Sequence, residues 1–251
     1  MKKPTILLIG DNCLDIYYYG DVKRISPEAP IPVLDYVQKE QRYGMGANVW
    51  QNLEKLGCTV IFATSGRSIK TRFIDRNTNQ HLLRLDEDPP REAARVPILH
   101  TGIHPWDAIA ISDYEKGSVT KESIDYIKKH YKGPIFIDTK KKDLAQFEGM
   151  FVKINQKEYS EATSLPNEHL ITTMGDLGAS YKGTLYKAIK SDVCDPCGAG
   201  DTFFASLIYK YILSQNIEDS IKFANAASSI TVKHVGVYSP TIEEIEKVYH
   251  E

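Results

Sequence analysis

The eight residues Asp195-Pro-Cys-Gly-Ala-Gly-Asp-Thr202 set a carboxylate beside a run of small residues, after a strand-like region and at the head of a helix. Gly198, Ala199 and Gly200 can turn successive backbone N–H groups toward an anion, and a helix N-terminus favours negative charge. A phosphate would sit there. Asp201, at the mouth of the same helix, can accept a proton from an attacking hydroxyl while those amides stabilise a phosphoryl group in transfer. The plainer reading is a glycine-rich turn into a helix whose first turn carries an ordinary acid. Cys194 and Cys197 form a C-x-x-C in the same loop, a spacing that redox and zinc sites use. A tetrahedral zinc site needs two more ligands, and Cys13 and Cys58 stand apart with no histidine near them, which argues against a metal.

Such a loop acts only if a sheet carries it. Thr5 to Gly10, a continuous apolar run, predicts a central strand buried on both faces. Ala47 to Leu56 predicts a helix closed by Gly57, and Thr59 to Thr64 a strand. Asp107 to Ser112 and Pro134 to Asp138 are further strands, and between them Ile124, Ile127 and Tyr131 keep helical spacing. Strand, helix and strand in that order predict right-handed crossovers and a parallel sheet. Strands near His169 to Thr173 and Ser180 to Ile189 follow. Helices are then expected from about Asp201 to Leu213, Glu218 to Lys233 and Thr241 to His250, the last with a capping box of Thr241 and Glu244. Two regions alternate instead: IPVLDYVQ within Pro30 to Gln38, and Thr71 to Asp86 around RNTNQ. They predict a small β sheet set apart from the main one.

The 251 residues are 42% hydrophobic, enough for a core, and 31 basic against 33 acidic residues leave a net charge of -2. No global field favours nucleic acid or an anionic membrane. The apolar run before Gly10 is too short for a signal peptide or a membrane span, so a cytoplasmic protein with reduced thiols is expected. Without repeats or linkers, one domain over residues 1–251 is the economical reading, with lid segments at about 17–38 and 71–86.

GAGDT at the head of a helix resembles the C-terminal signature of the PfkB-type carbohydrate kinases. Further segments resemble, in order, the kinase half of the bifunctional heptose kinase/adenylyltransferases: Arg24-Ile-Ser-Pro-Glu-Ala-Pro-Ile-Pro-Val33, Arg84-Leu-Asp86, Ser112-Asp-Tyr-Glu-Lys-Gly117, Ile137-Asp-Thr-Lys140 and Phe223-Ala-Asn-Ala-Ala227. The resemblance implies a ribokinase-like three-layer α/β fold with a mostly parallel central sheet and a small β lid. It implies transfer of the γ-phosphoryl group of ATP to a sugar hydroxyl, the anomeric one of a heptose 7-phosphate or a similar sugar phosphate. Asp201 would be the base and Gly198, Ala199 and Gly200 the anion-binding amides.

By the same resemblance Asp15 binds sugar hydroxyls at the end of the first strand. Gly44-Met-Gly-Ala-Asn48 is the sugar-binding glycine segment, where the backbone can approach the substrate and Asn48 offers a donor and an acceptor. Asn155-Gln-Lys-Glu158 is the N-x-x-E element that holds Mg2+ largely through water, for which one carboxylate suffices. Thr173, Gly175 and Gly178 border the nucleotide phosphates, and Asn225 lies beside the adenine. Each has a structural alternative: a turn acid, an N-cap with its first-turn Glu, a glycine turn between strands, a helix-packing Asn. Arg24, Arg72, Arg76 and Arg84 lie in or beside the lid, and Lys116 and Lys140 follow strand ends, where α/β ligands bind. Arg72, Arg76, Lys116 and Lys140 are the candidates for a second phosphate.

Three departures from the family pattern stand out. After Gly66 the chain passes within a few residues to the lid, where the resembled kinases carry a helix and a strand. A helix-sized piece is absent between Ala162 and His169. Pro196 and Cys197 replace small residues or threonine, so the cysteine pair reads as substitution within the loop; Asp195 keeps a neighbouring monovalent-cation site open. The lid is expected to pair two copies into a homodimer, because a small two-faced sheet leaves edges to cover. With Glu251 following the last helix, no adenylyltransferase half is expected. A sugar-phosphate or nucleotide sensor that keeps the fold is the other reading, and an oxidoreductase has less support because no G-x-G-x-x-G follows the first strand.

Overall fold

The computed structural model describes residues 3–97 and 105–250; Met1, Lys2, residues 98–104 and Glu251 lie outside the described residues. The chain runs β1 (Thr5–Gly10), β2 (Asn12–Ile25), β3 (Pro32–Met45), α1 (Gly46–Lys55), β4 (Thr59–Ala63), β5 (Ser68–Asp75), β6 (Gln80–Glu87) and β7 (Ala108–Asp113). It continues through α2 (Lys121–His130), β8 (Ile135–Thr139), β9 (Phe151–Asn155), α3 (Gln156–Glu161), β10 (Leu170–Thr173), β11 (Gly178–Tyr181), β12 (Thr184–Lys187), α4 (Ala199–Ser214), α5 (Ile217–Thr231) and α6 (Ile242–Tyr249).

Eight strands form the main sheet in the order β12-β11-β10-β9-β8-β7-β1-β4, parallel from β10 to β4, with β11 and β12 antiparallel at one edge. Side chains alternate along a strand, so Ile6 and Leu8 of β1 join Ala108 and Ala110 on one face, while Leu7 and Ile9 join Ile109 and Ile111 on the other. Val49 and Leu53 of α1, Phe203, Phe204 and Leu207 of α4 and Ile221 of α5 cover the first face. Ile124 and Ile127 of α2 cover the second. This is the expected three-layer α/β fold.

The second sheet has the order β3-β2-β5-β6. Its strands are longer than the alternating segments suggested: β2 and β3 together reach from Asn12 to Met45, where about 17–38 was expected. Period-2 alternation explains the extension, with Asp15, Tyr17 and Tyr19 on one face and Leu14, Ile16 and Tyr18 on the other, register-matched to β3 and β5. The segment from Ser180 to Ile189, expected as one strand, folds as the hairpin of β11 and β12 with neighbouring residues instead. Lys182 and Gly183 both take positive φ, 48° and 78°, as a two-residue hairpin turn requires. The chain passes from β4 to β5 in four residues, so among the described residues β4 ends the main sheet as a bare edge, with Ile61 47% exposed.

Candidate active site

The C-terminal ends of β1, β7, β8 and β9 meet the N-terminus of α4, the place where parallel α/β sheets bind ligands. Asp201 sits there in the first turn of α4, 7% exposed. Asn48 Nδ2 donates to its Oδ2 at 2.8 Å and the Tyr114 hydroxyl donates to its Oδ1 at 2.9 Å. Burial first, with Asp138 adding, raises the Asp201 carboxyl to about 6, against the lowering pull of Asn48, Lys153 and Tyr114. Asn48 is itself fixed by Asn52, which donates to the Asn48 Oδ1, and Thr202 donates to Asn52 in turn. A buried polar chain thereby ties α1 to α4. The i, i+4 pair Asn48 and Asn52 on an otherwise apolar helix face was the sequence signal for it.

Gly198 caps α4 in the left-handed conformation, φ 80°, and a Cβ there would lie 2.9 Å from Val237 and 3.0 Å from Asn48 Nδ2. Only glycine meets both demands. The Ala199 N–H turns back to the Pro196 carbonyl at 3.3 Å, and the helix ladder begins with Thr202 N–H to Gly198 at 2.9 Å. The amides of Gly200 and Asp201 are therefore the ones that head the helix toward an anion.

On the lid side, Asp15 pairs with Arg72 at 2.5 Å, and a Cβ on Gly44 would lie 2.5 Å from Asp15 Oδ2, so the bare Gly44 backbone makes room for this carboxylate. The segment from Gly44 to Asn48 thus runs from Asp15 to Asp201. Arg72 and Arg42 each stand 5.0 Å from the Tyr17 ring centre. Arg42 lies opposite Asp15 in the β2–β3 register and reaches the Val235 carbonyl. Cys197 lies between the lid and Asp201: lost hydration, then the carboxylates of Asp195, Asp15 and Asp201, hold its thiol above the ordinary value. Asp195 spends one oxygen on the Cys197 N–H and the other on the Gly236 N–H, which closes the loop.

On the opposite side, Lys153 is buried in β9 with its Nζ 2.7 Å from Asp138 Oδ2 and 3.2 Å from where a Gly200 Cβ would be. Asp138 Oδ1 is buried with no hydrogen-bond partner among the described residues. Lys153 was not anticipated, although a lysine in the buried strand FVKIN was a visible anomaly. Asn155 and Glu158 form a reciprocal capping box at the start of α3, and Lys140 pairs with Glu158 while lying 5.1 Å from the Tyr114 ring centre. Lys140 therefore belongs with Glu158 and Tyr114 rather than with the lid. Thr173 donates to the Ile154 carbonyl, and Gly175 and Gly178 take positive φ, 59° and 107°, in the turn between β10 and β11. Asn225 donates to the Tyr186 and Lys187 carbonyls at 2.8 and 3.2 Å, so its amide holds β12 to α5.

Two expected phosphate ligands are not brought to this cluster. Arg76 pairs with Asp21 in the turn beyond β5, four residues along the strand direction from Arg72, roughly 13 Å away. Lys116 pairs with Asp88 at the root of the lid. Both are drawn off by nearer carboxylates. Among the described residues no group of three or more His, Cys, Asp or Glu is placed to hold a metal ion, and no helix is long and apolar enough to cross a membrane.

Comparison with known proteins finds relatives along nearly the whole chain. Residues 144–244 match the family described as pfkB family carbohydrate kinase. The chain is 29% identical over 300 aligned positions to the bifunctional protein HldE of a Nitratiruptor species, covering 98% of the chain and 65% of that protein. It is 30% identical over 308 positions to the HldE protein of Sulfurimonas denitrificans, covering 97% of the chain and 64% of that protein. The chain thus spans a little under two thirds of the length of these relatives. Arabidopsis thaliana ribokinase, solved with ribose and ATP, superposes with a TM-score of 0.73 at 14% identity over the whole of both chains. Phosphofructokinase-2 from Escherichia coli, solved with potassium, gives 0.68 at 14% identity over 99% of each. These structures establish the ribokinase fold.

Proposed function

We propose that this chain, a ribokinase-fold relative of the pfkB carbohydrate kinases, is an ATP-dependent sugar kinase in which Asp201 takes the proton of the acceptor hydroxyl. The observation that carries the reading is the Asp201 carboxylate: buried, pushed up to about 6, and set beside the free amides of a helix N-terminus. A base performs best when its pKa lies near the working pH. As the hydroxyl proton passes to Asp201, the oxygen attacks the γ-phosphorus and the bond to the leaving ADP breaks. The amides of Gly200 and Asp201, with the Lys153 ammonium beside Gly200, meet the charge on the transferring group.

Asp15, Gly44 and Asn48 line the acceptor side in this reading, and Thr173, Gly175, Gly178 and Asn225 the nucleotide side. Asn155 and Glu158 would hold a magnesium ion through its waters, with Lys140 and the Asn155 N–H now engaging the two Glu158 oxygens. When bound, magnesium neutralises phosphate charge. The acceptor we favour is the anomeric hydroxyl of a heptose 7-phosphate or a similar sugar phosphate. The segments shared with the heptose kinases support it; Arg72 and Arg42 beside Tyr17 are paired with Asp15 and Glu40, and in this reading they exchange those partners for the sugar phosphate. A cytoplasmic location goes with these substrates.

The reading includes a homodimer through the lid. Leu83 and Leu85 of β6 share the face of Tyr18 and Phe73 and are 59% and 50% exposed, and Tyr36 beside Tyr18 is 65% exposed. One apolar lid face is thus open to a second copy.

The test is ADP release from ATP and Mg2+ across heptose 7-phosphate, fructose phosphates, free hexoses and nucleosides, with Asp201→Asn alongside. Turnover with a sugar phosphate, reduced about 10²–10⁴-fold in Asp201→Asn, is expected. Preference for an unphosphorylated acceptor overturns the substrate class. No turnover with any acceptor favours a sensor.

A further inference from the structure

Asp11, at the end of β1, is fully buried and gathers four donors: the N–H groups of Tyr114 at 2.9 Å, Lys116 at 3.0 Å and Ser118 at 3.1 Å, and Arg91 Nη1 at 3.4 Å. A carboxylate that accepts three amides from one five-residue stretch fixes the shape of that stretch. The stretch includes positive φ at Glu115, 56°, and Gly117, 104°, and it carries the Tyr114 hydroxyl that donates to Asp201. Arg91 supplies the other half. Its side chain is 1% exposed, and Nη2 donates to the Asn12 carbonyl at 3.2 Å and to the Ser68 hydroxyl. Asn12 and Ser68 are the first residues of β2 and β5, the roots of two lid strands. A Cβ on Gly117 would lie 3.3 Å from the Arg91 Cβ, so the two segments are in close register. The Asp11 carbonyl also accepts the Gly46 N–H at 2.9 Å, which anchors the start of α1 and with it Asn48.

We infer that Arg91 and Asp11 are positioning residues that lock the lid root to the loop of Tyr114, so that the seating of the lid and the hydrogen bonding of Asp201 are set together. The inference rests on Asp201 being the base of the proposed reaction. A buried arginine with three acceptors on three elements is a costly arrangement unless each contact is satisfied. Here each contact ends on either the lid root or the carboxylate that shapes the Tyr114 loop. The groups that face Asp201 are Asn48 from α1, Tyr114 after β7, Asp138 of β8 with Lys140 just beyond it, Lys153 of β9, and Cys197 on the approach to α4. Of these, Tyr114 alone is held by Asp11 through its backbone.

Carboxyl 13C NMR reads the Asp201 titration directly, with the signal assigned by its loss in Asp201→Asn. Tyr114→Phe removes one hydrogen bond to the carboxylate and is expected to raise the Asp201 midpoint by about one pH unit, tenfold in its dissociation constant. Arg91→Met is expected to move it in the same direction, and the double variant no further than Tyr114→Phe alone. If Arg91→Met does not fold, Arg91→Lys decides, because one ammonium cannot span Asp11, Asn12 and Ser68 at once. It is then expected to shift the midpoint by a smaller amount. An Arg91 variant that loses thermal stability but keeps the wild-type Asp201 midpoint overturns the inference, as does a Tyr114→Phe protein with an unmoved midpoint. The titration needs no turnover, so a chain that phosphorylates no acceptor yet shows these shifts would remove the kinase reading and leave the positioning intact.

Discussion

Replacing Asp201 with asparagine is expected to make the protein more stable at neutral pH while it cuts phosphoryl transfer about 10²–10⁴-fold. Burial raises the Asp201 carboxyl from 3.8 to about 6 in the folded protein. For an acid with a raised folded pKa, the folded state holds the proton more tightly than the unfolded chain. Stability from this group is thus fully present below the unfolded value and is lost as pH rises through the folded one. Two pH units are worth about 3 kcal/mol in total, of which about 2 kcal/mol falls between pH 4.5 and pH 8. The asparagine side chain does not titrate and has no such loss. It forfeits one of the two hydrogen bonds from Asn48 and Tyr114, about 1 kcal/mol, but that cost does not change with pH. The stability of Asp201→Asn relative to wild type should therefore rise by about 2 kcal/mol from pH 4.5 to pH 8, about 4–8 °C in Tm for a chain of this size. Urea unfolding at several pH values measures it. A stability difference that stays flat across that range would refute the burial argument and the assignment of a tuned base with it.

Other outcomes follow from single contacts. Gly198→Ala is expected to cost about 1–3 kcal/mol, because it strains a positive φ and presses on Asn48, and to lower turnover more than ATP affinity, read by thermal shift and steady-state kinetics. Lys153→Met leaves Asp138 as an uncompensated buried charge and should cost about 3–5 kcal/mol in denaturant unfolding; a cost below about 1 kcal/mol would show that water reaches the pair. Glu158→Gln should raise the magnesium concentration needed for half-maximal activity, and an unchanged titration would leave the capping box as its whole role. Leu83→Glu with Leu85→Glu should give a monomer in sedimentation at micromolar concentration, and an unaltered sedimentation coefficient would place the interface elsewhere.

The main sheet was legible because its strands are apolar without interruption and its helices carry one-sided stripes. Thr5 to Gly10 and Asp107 to Ser112 leave no other low-energy placement. The lid was legible only in its outer part, because β2 opens with Asn12-Cys-Leu-Asp15, where polar residues at both ends interrupt the reading of alternation. Around Asp201, Asn48 was reached through the resemblance of its glycine segment, while its i, i+4 pairing with Asn52 went unread. Tyr114, Asp11 and Arg91 could not be placed together, because their relation is one of backbone amides and loop shape between residues up to 107 positions apart, which periodicity does not encode. Two of the four expected second-phosphate ligands, Arg76 and Lys116, lie apart from the cluster for a related reason. Charge type was visible, but whether Arg76 meets a substrate or Asp21 depends on which carboxylate the fold sets nearer.

The position of the shortened segments explains how the chain can lack them and still assemble this cluster. The alignment with the Nitratiruptor relative extends over 300 positions against 251 residues here, so that relative carries segments this chain does not. The family resemblance expects them at two places: the four residues between β4 and β5, and the run from α3 to β10, which holds no helix. Neither supplies a hydrogen-bond partner to Asp201. The residues around Asp201 come from β1, α1, β7, β8, β9 and α4, all in the middle of the sheet or packed on it. The cost of trimming falls at the periphery instead. Ile61 is 47% exposed on the bare edge β4, and a cleft of about 510 Å³ opens between α3, β10 and β11, lined by Tyr159, His169 and Lys182 among others. An uncovered edge strand and an uncovered sheet face weaken stability and invite association, whereas the geometry of Asn48, Tyr114 and Lys153 around Asp201 depends on neither. Trimming of this kind therefore lowers the stability of the scaffold before it disturbs the chemistry.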